Sequence, residues 1–305
     1  MDADEFRQYG REAVEYVADY VTNLDQRPVM PKDKPGVLRS QLPQSPPAEP
    51  HAWPTIFRDF NDTIMPQVAH WQSPHFHAYF PSGASFPSLL GGLIGDAISS
   101  IGFSWQSSPA GTELEIVVMN WLGKMIGLPK EFLMQDEQSE GGGVIQGSAS
   151  ECVLLALLAA RHEALNHLAQ CHPGASRGEN LNRLVAYCSE QTHSCMEKAA
   201  LIGLVKLRKL DTDCRCRLRG NVLAKAVECC ATLGTTGSCA YDPLRELGPV
   251  CRREGLWLHV DAAYAGCSFI CPELRRPFRG VEYADSFNTN CNKFLLVNFD
   301  CSAMW

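Results

Sequence analysis

Two residues in the last fifth of the chain, an aspartate and a lysine, have side chains that could do chemistry together. Asp261 ends the apolar run 256–260 and is followed by the small residues Ala262 and Ala263. Such a run is typical of a buried parallel strand, whose carboxyl end opens onto a ligand crevice. Lys293 follows further along the chain, at the edge of a second apolar run. A buried lysine can act as an amine nucleophile toward an aldehyde.

The aspartate and the lysine permit two interpretations. A buried carboxylate needs a cationic or hydrogen-bonding partner, so the two residues could form a structural ion pair. At neighbouring strand ends they also suit a pyridoxal phosphate site, in which Lys293 bonds to the cofactor aldehyde and Asp261 holds the ring nitrogen protonated. The surrounding elements must therefore be considered.

Length, composition and charge limit the class of protein. The chain has 305 residues, of which 45% are hydrophobic and 20% charged, a balance that supplies the core of one large or two ordinary domains. The net charge of −7 argues against nucleic acid or an anionic membrane as a partner, since either would need a basic face. The apolar stretches at 89–103 and 152–160 are too short, or too interrupted, to span a bilayer.

The cysteines predict the compartment. Fourteen of them are scattered through predicted helices and strands, and no basic segment followed by an apolar core opens the sequence. We therefore expect reduced thiols in a cytoplasmic protein. Cys214, Cys216 and the pair Cys229-Cys230 lack the spacing and the partner histidines of a zinc site, so no metal is expected.

The first 80 residues predict an arm. Residues 2–23 have the apolar spacing of an amphipathic helix, residues 28–54 contain eight prolines, and residues 53–69 predict a further helix. This segment has too little core to fold alone. We expect residues 1–80 to be an N-terminal helical arm and proline-rich linker that serves dimerisation, and residues 81–305 to be the main domain.

Two further segments precede the predicted sheet. Residues 70–82 are aromatic and polar without periodicity, which suits either the lining of an aromatic pocket or a packed surface loop. Residues 86–103 and 112–127 predict helices, the second with Thr112 as its N-cap.

A glycine-rich segment then leads into a predicted apolar helix. Residues 141–151 contain Ser148 and Ser150, and the following run 152–160 is apolar nearly all round. The first turn of such a helix offers free N–H groups, hydroxyls and a positive dipole end to a phosphate. The same residues also suit an ordinary helix cap. No GxGxxG or Walker motif is present, which disfavours dinucleotides and nucleoside triphosphates.

Strands and helices alternate from residue 144 to 300, which predicts an α/β fold with a largely parallel sheet. The carboxyl ends of its strands would share one rim. The expected crevice residues are Ser150, His193, Thr236, Asp261 and Lys293. One junction conflicts with this pattern, because a predicted helix at 221–228 runs straight into a predicted strand at 229–233. Either the helix is misassigned or a segment is missing between Glu228 and Cys229.

In combination, these motifs resemble the group II pyridoxal phosphate decarboxylases, the family of the aromatic-L-amino-acid, tyrosine and histidine decarboxylases. The matching segments are residues 70–75, 147–151, 259–266 and 297–305. The resemblance spans the chain and implies fold type I, a pyridoxal-phosphate-binding large domain incomplete at its carboxyl-terminal end, no C-terminal small domain, and a homodimer.

The resemblance also implies roles for individual residues. Lys293 would bond covalently to the cofactor, and Asp261 would pair with the pyridine nitrogen. His193 would stack on one face of the ring and Ala263 would pack on the other. The further cofactor contacts would be Ala149, Ser150, Thr236, Asp242, Asn290 and Asn292. The substrate contacts would be Tyr79, Phe80 and Ser82, with Ile101 and Phe103 reaching the other subunit's pocket.

The chain departs from the family pattern at three places. Asn290, Cys291 and Asn292 stand where Asn-Pro-His is usual, which removes a histidine contact to the phosphate, although Asn292 can still donate a hydrogen bond. Ser82 stands where threonine is common. The family's mobile catalytic loop, with its proton-donating tyrosine, would lie beyond Trp305.

The function expected from the resemblance is decarboxylation of an aromatic L-amino acid, of the Dopa, 5-hydroxytryptophan, tyrosine or tryptophan class, to its amine and CO2. The motifs at 147–150 and 298–304 look more like the aromatic branch than the histidine branch, and His193 favours amine over aldehyde formation. Histidine decarboxylation is the alternative within enzymes. A catalytically inactive chain that only dimerises is the alternative of a different class.

Overall fold

The computed structural model describes residues 1–136, 138–226 and 229–305. The helices are α1 Ala3–Thr22, α2 Val37–Gln41, α3 Trp53–Asp59, α4 Phe86–Ile98, α5 Pro109–Ile126, α6 Ala149–Cys171, α7 Arg177–Arg183, α8 Cys195–Gly203, α9 Gly220–Ala226, α10 Leu244–Glu254 and α11 Cys291–Phe294. The strands are β1 Val144–Gln146, β2 Val185–Ser189, β3 Lys206–Leu210, β4 Cys229–Thr232, β5 Leu258–Asp261, β6 Ser286–Asn290 and β7 Ser302–Met304. The chain divides into two compact units, Met1–Pro81 and Ser82–Trp305.

The first unit is held together by aromatic side chains. Helix α1 begins with a capping box, in which Asp2 and Glu5 each accept a hydrogen bond from the other's backbone N–H. Tyr16 on α1 packs edge-on against Phe57 on α3, with the ring centroids 5.0 Å apart. The Tyr20 hydroxyl hydrogen-bonds Nδ1 of the buried His70 at 2.8 Å. The predicted amphipathic helix at 2–23 is therefore confirmed, and its aromatic stripe contacts α3.

The second unit is built on a mixed sheet. In the described part of the chain this sheet has seven strands in the order β1-β7-β6-β5-β4-β2-β3. Strands β3, β2, β4, β5 and β6 run parallel, and β7 is antiparallel to both of its neighbours. The prediction of an α/β fold with a largely parallel sheet is confirmed.

The central strands β5 and β6 are buried on both faces. Leu258 and Val260 of β5 and Phe287 of β6 are fully buried, and they join one large core with Leu244 and Leu247 of α10. A second cluster of buried apolar side chains lies around α6, α8 and the edge of the sheet. A parallel sheet covered by helices on its faces requires this composition.

Helix α5 begins earlier than predicted. Its N-terminal residue is Pro109, which supplies a helical φ where no N–H is needed. The prediction of Thr112 as the N-cap is wrong, since Thr112 lies inside the first turn and its hydroxyl donates to the carbonyl of Ser108 at 3.0 Å.

The junction flagged in the sequence lies partly outside the described residues, because Glu228 is not among them; α9 ends at Ala226. Where the structure describes the chain, no helix is long and apolar enough to cross a membrane.

Candidate active site at the carboxyl ends of the strands

The polar residues of the site share a row across three strands. Thr232 at the end of β4 is paired in register with Asp261 at the end of β5, and Asp261 is paired with Asn288 of β6. The order of strands reverses between β2 and β4, since the chain runs from β2 outward to β3 and then returns across β2 to β4. Ligands of α/β proteins bind outside the carboxyl ends at such a switch point.

The carboxylate of Asp261 is buried and hydrogen-bonded. Its Oδ1 accepts a hydrogen bond from the backbone N–H of Ala263 at 3.0 Å and lies 3.4 Å from Nδ2 of Asn288. The residue is 5% exposed. These donors fix the orientation of the carboxylate at the end of β5.

Lys293 lies on α11, directly after β6, and not on a strand. Burial lowers the pKa of its amine below the ordinary value, while the negative charge of Asp261 acts in the opposite direction. The net result is a lysine that loses its proton more readily than one in water. This is the property that an amine nucleophile needs.

A glycine allows the segment that carries the lysine to pack closely. The N–H of Gly83 donates to the carbonyl of Asn292 at 2.6 Å. A Cβ at this position would lie only 3.0 Å from the same oxygen and from Cα of Leu296, both backbone atoms. The close approach therefore requires glycine at 83, next to the predicted substrate residue Ser82.

Helix α6 brings its N-terminus to the same rim. Ser148 caps it, accepting a hydrogen bond from the N–H of Glu151 at 3.3 Å. The predicted phosphate contacts Ala149 and Ser150 form the first turn, whose N–H groups have no intrahelical acceptors. In the next turn the thiol of Cys152 faces the site, and burial, followed by the charge of Asp261, raises its pKa to about 12.

His193 lies in the loop between β2 and α8. Its Nδ1 accepts a hydrogen bond from the N–H of Cys195 at 3.1 Å, so the neutral ring carries its proton on Nε2. The thiol of Cys195 is buried, and burial, with the nearby charge of Asp261, raises its pKa to about 12. The N-terminus of α8 thus holds the histidine, whose ring is exposed.

Asp242 stabilises the rim by accepting hydrogen bonds from backbone N–H groups. Its two carboxylate oxygens accept hydrogen bonds from the N–H groups of Leu218 and Thr232, at 2.7 and 2.8 Å. Burial raises its pKa to about 6. The predicted contact Thr236 lies on the exposed part of the loop that follows β4. Asp242 therefore fixes the end of β4, and Thr236 is free to face a ligand.

The residues that precede the lysine are anchored to β7. Oδ1 of Asn290 accepts a hydrogen bond from the Ser302 hydroxyl at 2.8 Å, and Oδ1 of Asn292 accepts one from the N–H of Cys301 at 3.2 Å. Nδ2 of Asn292 is buried and has no hydrogen-bond partner within the described chain. A buried donor of this kind favours a ligand with acceptor oxygens.

The predicted substrate residues occupy more exposed positions. Tyr79 stacks on Trp71 with a centroid distance of 5.2 Å, and Phe80 meets Trp71 edge-on at 5.3 Å. Ile101 and Phe103, in the connection between α4 and α5, are largely exposed. The predicted ring contact Ala263 is half-buried directly after β5 and donates to Asp261.

Three residues of the site were missed by the sequence analysis. Asn288 orients Asp261, and Cys152 and Cys195 lie near its charge. The run of polar residues 288–290 shortly before Lys293 could have indicated Asn288. No pattern in the sequence distinguishes the two cysteines from the other core thiols, since their placement depends on how α6 and α8 pack.

A sheet with one reversed strand, with a carboxylate and a desolvated lysine at its strand ends, is the architecture of the fold type I pyridoxal phosphate enzymes. Residues 35–305 match the profile of the pyridoxal-dependent decarboxylase conserved domain. The chain therefore belongs to the pyridoxal-dependent decarboxylase family, and its cofactor is pyridoxal phosphate.

Individual relatives agree with this assignment. The chain is 54% identical to histidine decarboxylase of Drosophila melanogaster, over 100% of its own length and 37% of that protein. It is 52% identical to aromatic-L-amino-acid decarboxylase of Bos taurus, over 100% of the chain and 65% of the relative. The crystal structure of Oryza sativa TDC with PLP and tryptamine superposes with a TM-score of 0.93 at 36% identity, over 100% of this chain and 67% of that one. The chain thus spans between about a third and two thirds of these curated relatives.

The residues present fit the cofactor. Asp261 offers a buried anion to a protonated ring nitrogen, and the first turn of α6 offers N–H groups to a phosphate. The buried amide donor of Asn292, next to Lys293, has no hydrogen-bond partner in the described chain and suits an acceptor oxygen of a phosphate.

Proposed function

We propose that this chain forms the cofactor-binding part of a decarboxylase that converts an aromatic L-amino acid to its amine and CO2. The observation that carries the proposal is the pairing of a lysine whose pKa is lowered by burial with the oriented, buried carboxylate of Asp261. A purely structural ion pair would not need the exposed histidine and the helix N-terminus that border the same rim.

Several residues are proposed to hold the cofactor, each through a different contact. Lys293 would bond to its aldehyde, and Asp261 would keep a positive charge on the ring nitrogen. His193 would cover one face of the ring, and Ala263 would pack against the other. When bound, pyridoxal phosphate supplies an electron sink for the pair of electrons left by departing CO2. Asp261 strengthens that sink, because its charge stabilises the protonated nitrogen in a water-poor site.

The phosphate would be held by groups from three elements. The first turn of α6 would provide N–H groups at Ala149 and Ser150, the end of β6 would provide Asn290, and α11 would provide Asn292. Thr236 and Asp242 complete the cofactor side of the rim, Asp242 by fixing the end of β4. These roles are supported by the shared rim and by the buried amide donor of Asn292.

The substrate side is proposed to consist of Tyr79, Phe80, Ser82, Ile101 and Phe103. Aromatic residues suit an aromatic substrate, because ring pairs add to the hydrophobic gain of burial. The solved relative with tryptamine supports the aromatic class.

Histidine is the second candidate substrate. The 54% identity to a histidine decarboxylase, against 52% to an aromatic-L-amino-acid decarboxylase, gives a specific reason to test it. Both substrates carry a planar ring on the β-carbon, so either suits the aromatic residues proposed for the substrate side.

A homodimer is proposed as the working assembly. Helix α5 buries Met119 and Ile126 in the core, yet its opposite side exposes Leu114, Trp121 and Met125 at helical spacing. An apolar stripe on both sides of one helix indicates a second partner. The N-terminal arm, residues 1–80, is proposed to contribute to the same dimer. A cytoplasmic location is supported by the thiols, since the cysteines whose side chains are described are unpaired.

The substrate proposal is tested by measuring CO2 release from Dopa, 5-hydroxytryptophan, tyrosine, tryptophan and histidine. The protein used should extend to the length of the relatives. Release from one or more of the first four, well above release from histidine, is the expected result. Release from histidine alone would establish the second candidate, and release from none would contradict decarboxylation.

Cofactor binding is tested separately on the present chain. Pyridoxal phosphate added to the purified protein should produce a new absorbance near the visible edge that Lys293→Ala lacks. An identical spectrum in the two proteins would contradict the role of Lys293 and favour the inactive, dimerising chain.

A further inference from the structure

Three cysteines surround the segment that carries Lys293. Cys267 follows β5, Cys291 is the first residue of α11, and Cys301 precedes β7. Cys267 and Cys291 are buried and Cys301 is half-buried, and all three are free thiols. None of them is used by the proposed reaction.

The strand register brings two of these cysteines face to face. Strands β6 and β7 are antiparallel, with Asn290 opposite Ser302. The next pair outward is Cys291 and Cys301, and the N–H of Cys291 donates to the carbonyl of Cys301 at 3.0 Å. Opposed residues of this hydrogen-bonded kind have Cα atoms about 5.5 Å apart. This lies within the range of about 4.4 to 6.8 Å that disulfides span.

The third cysteine also contacts Cys291 and has further partners. The sulfur of Cys267 lies 3.2 Å from the hydroxyl of Thr289 and 3.4 Å from the carbonyl of Asn290. Cys267 comes from a 3-10 turn outside the antiparallel ladder, so no strand pairing holds its backbone opposite Cys291. The ladder therefore favours Cys301 as the partner of Cys291.

The protonation of the two thiols is unequal. Hydrogen bonding from Cys291 lowers the pKa of Cys301, whereas hydrogen bonding to Cys267 and then to Cys301 raises the pKa of Cys291. The thiolate therefore forms first on Cys301, which is also the more accessible of the pair. A thiolate that solvent can reach is the form that peroxides oxidise.

We propose that Cys291 and Cys301 are a peroxide-sensitive modification site that closes to an intrachain disulfide beside Lys293. The Cys301 thiolate attacks hydrogen peroxide, the O–O bond breaks, and a sulfenic acid and hydroxide form. The Cys291 sulfur then attacks the Cys301 sulfur and displaces the hydroxyl, which leaves as water with the proton of Cys291. Two thiols and one peroxide thus yield one disulfide and two waters.

The disulfide would restrict the motion of the segment that carries Lys293. It joins the start of α11 to the start of β7, and Lys293 lies inside the closed loop. The N–H of Cys301 already donates to Asn292, so the cross-link reinforces a contact that exists in the reduced chain. A closed loop loses conformational freedom, and its amides should exchange with solvent more slowly.

Tryptic mapping identifies the bond, because cleavage after Lys293 separates the two cysteines. Residues 280–293 contain only Cys291, residues 294–305 contain only Cys301, and residues 254–275 contain Cys267 with Cys271. The native chain is treated with about one equivalent of hydrogen peroxide, its remaining thiols are alkylated, and the digest is analysed by mass spectrometry. The expected product joins 280–293 to 294–305 and is lost after dithiothreitol.

Two variants serve as controls. Cys301→Ser should abolish the joined peptide, and Cys271→Ser, which removes an exposed thiol outside the cluster, should leave its yield unchanged. A joined peptide containing 254–275, or oxidation of Cys301 without any join, would overturn the assignment. Deuterium exchange of 294–301 should be slower in the oxidised wild-type chain than in the reduced one, and equal exchange would overturn the restriction of motion.

Discussion

The rim of the sheet and the outer side of α5 differ in what they bury and what they expose. At the rim, polar groups are buried, and the two carboxylates have partners supplied by this chain: Asp261 accepts from Ala263, and Asp242 accepts from Thr232. On α5, by contrast, Trp121 and Leu114 are more than half exposed although they are apolar. The contrast supports two proposals: that this chain builds the cofactor side of the site, and that the exposed side of α5 packs against a second copy of the chain.

Replacing the lysine should have the largest effect. Lys293→Ala removes the only group at the rim proposed to bond to the cofactor, so decarboxylation by the longer protein should fall by about a thousandfold or more. CO2 release checks this. Lys130→Ala, at an exposed position, is the matched control and should retain activity. Activity within tenfold of wild type in Lys293→Ala would remove the lysine from the mechanism.

A charge on the outer side of α5 should weaken the dimer. Trp121→Asp places an unpaired carboxylate in the proposed interface, which costs about 3 kcal/mol and raises the dimer Kd by about a hundredfold. Sedimentation over a range of concentrations measures the shift. Leu201→Asp changes an exposed apolar residue on α8 and should leave the Kd unchanged. Equal effects of the two changes would mean that α5 does not form the interface.

Loss of Asp242 should destabilise the rim while leaving the outer surface intact. Asp242→Ala leaves the buried N–H groups of Leu218 and Thr232 without their acceptors, which should lower the free energy of unfolding by about 3 kcal/mol. Urea denaturation measures it. Asp211→Ala, at an exposed position, should change the value by less than about 0.5 kcal/mol. A loss that small for Asp242→Ala would show that the carboxylate is not a support.

The smallest predicted effect is a shift in pH dependence. The neutral amine of Lys293 reacts with an aldehyde, and because burial lowers its pKa, the rate of cofactor uptake should reach half its maximum below pH 10.5. The charge of Asp261 raises this pKa, so Asp261→Asn should move the midpoint to still lower pH. Stopped-flow absorbance at a series of pH values measures both midpoints. A midpoint that rises in the variant would contradict the proposed electrostatic coupling.

The two regions also differ in how far the sequence predicted them. Asp261 was placed correctly at a strand end. An unbroken apolar run without alternation predicts a parallel strand buried on both faces, and this pattern depends on local residues alone. The location of Lys293 on α11 was not anticipated, since Phe294 to Val297 are apolar enough to suggest a strand. The helical turn of α11 packs against Gly83, which is distant in sequence, so local residues could not predict it.

Side-chain partners were harder to predict than strand positions. Asn288 meets Asp261 only because β5 and β6 pair in one register, and a shift of one residue would turn its amide to the other face. Thr112 was misplaced as an N-cap because Pro109 starts the helix one turn earlier. The exposed stripe of α5 is apolar in the sequence, but local residues do not tell whether such a stripe faces the core or a second copy of the chain.

The central claim is that Lys293, at the rim beside Asp261, is the residue to which pyridoxal phosphate bonds. The most direct measurement is to add the cofactor to the native chain, fix the adduct with borohydride, and map it by mass spectrometry after chymotryptic cleavage. The account predicts the modification on Lys293, and its loss when Lys293 is changed to alanine. A modification spread over exposed lysines, with Lys293 unlabelled, would contradict it.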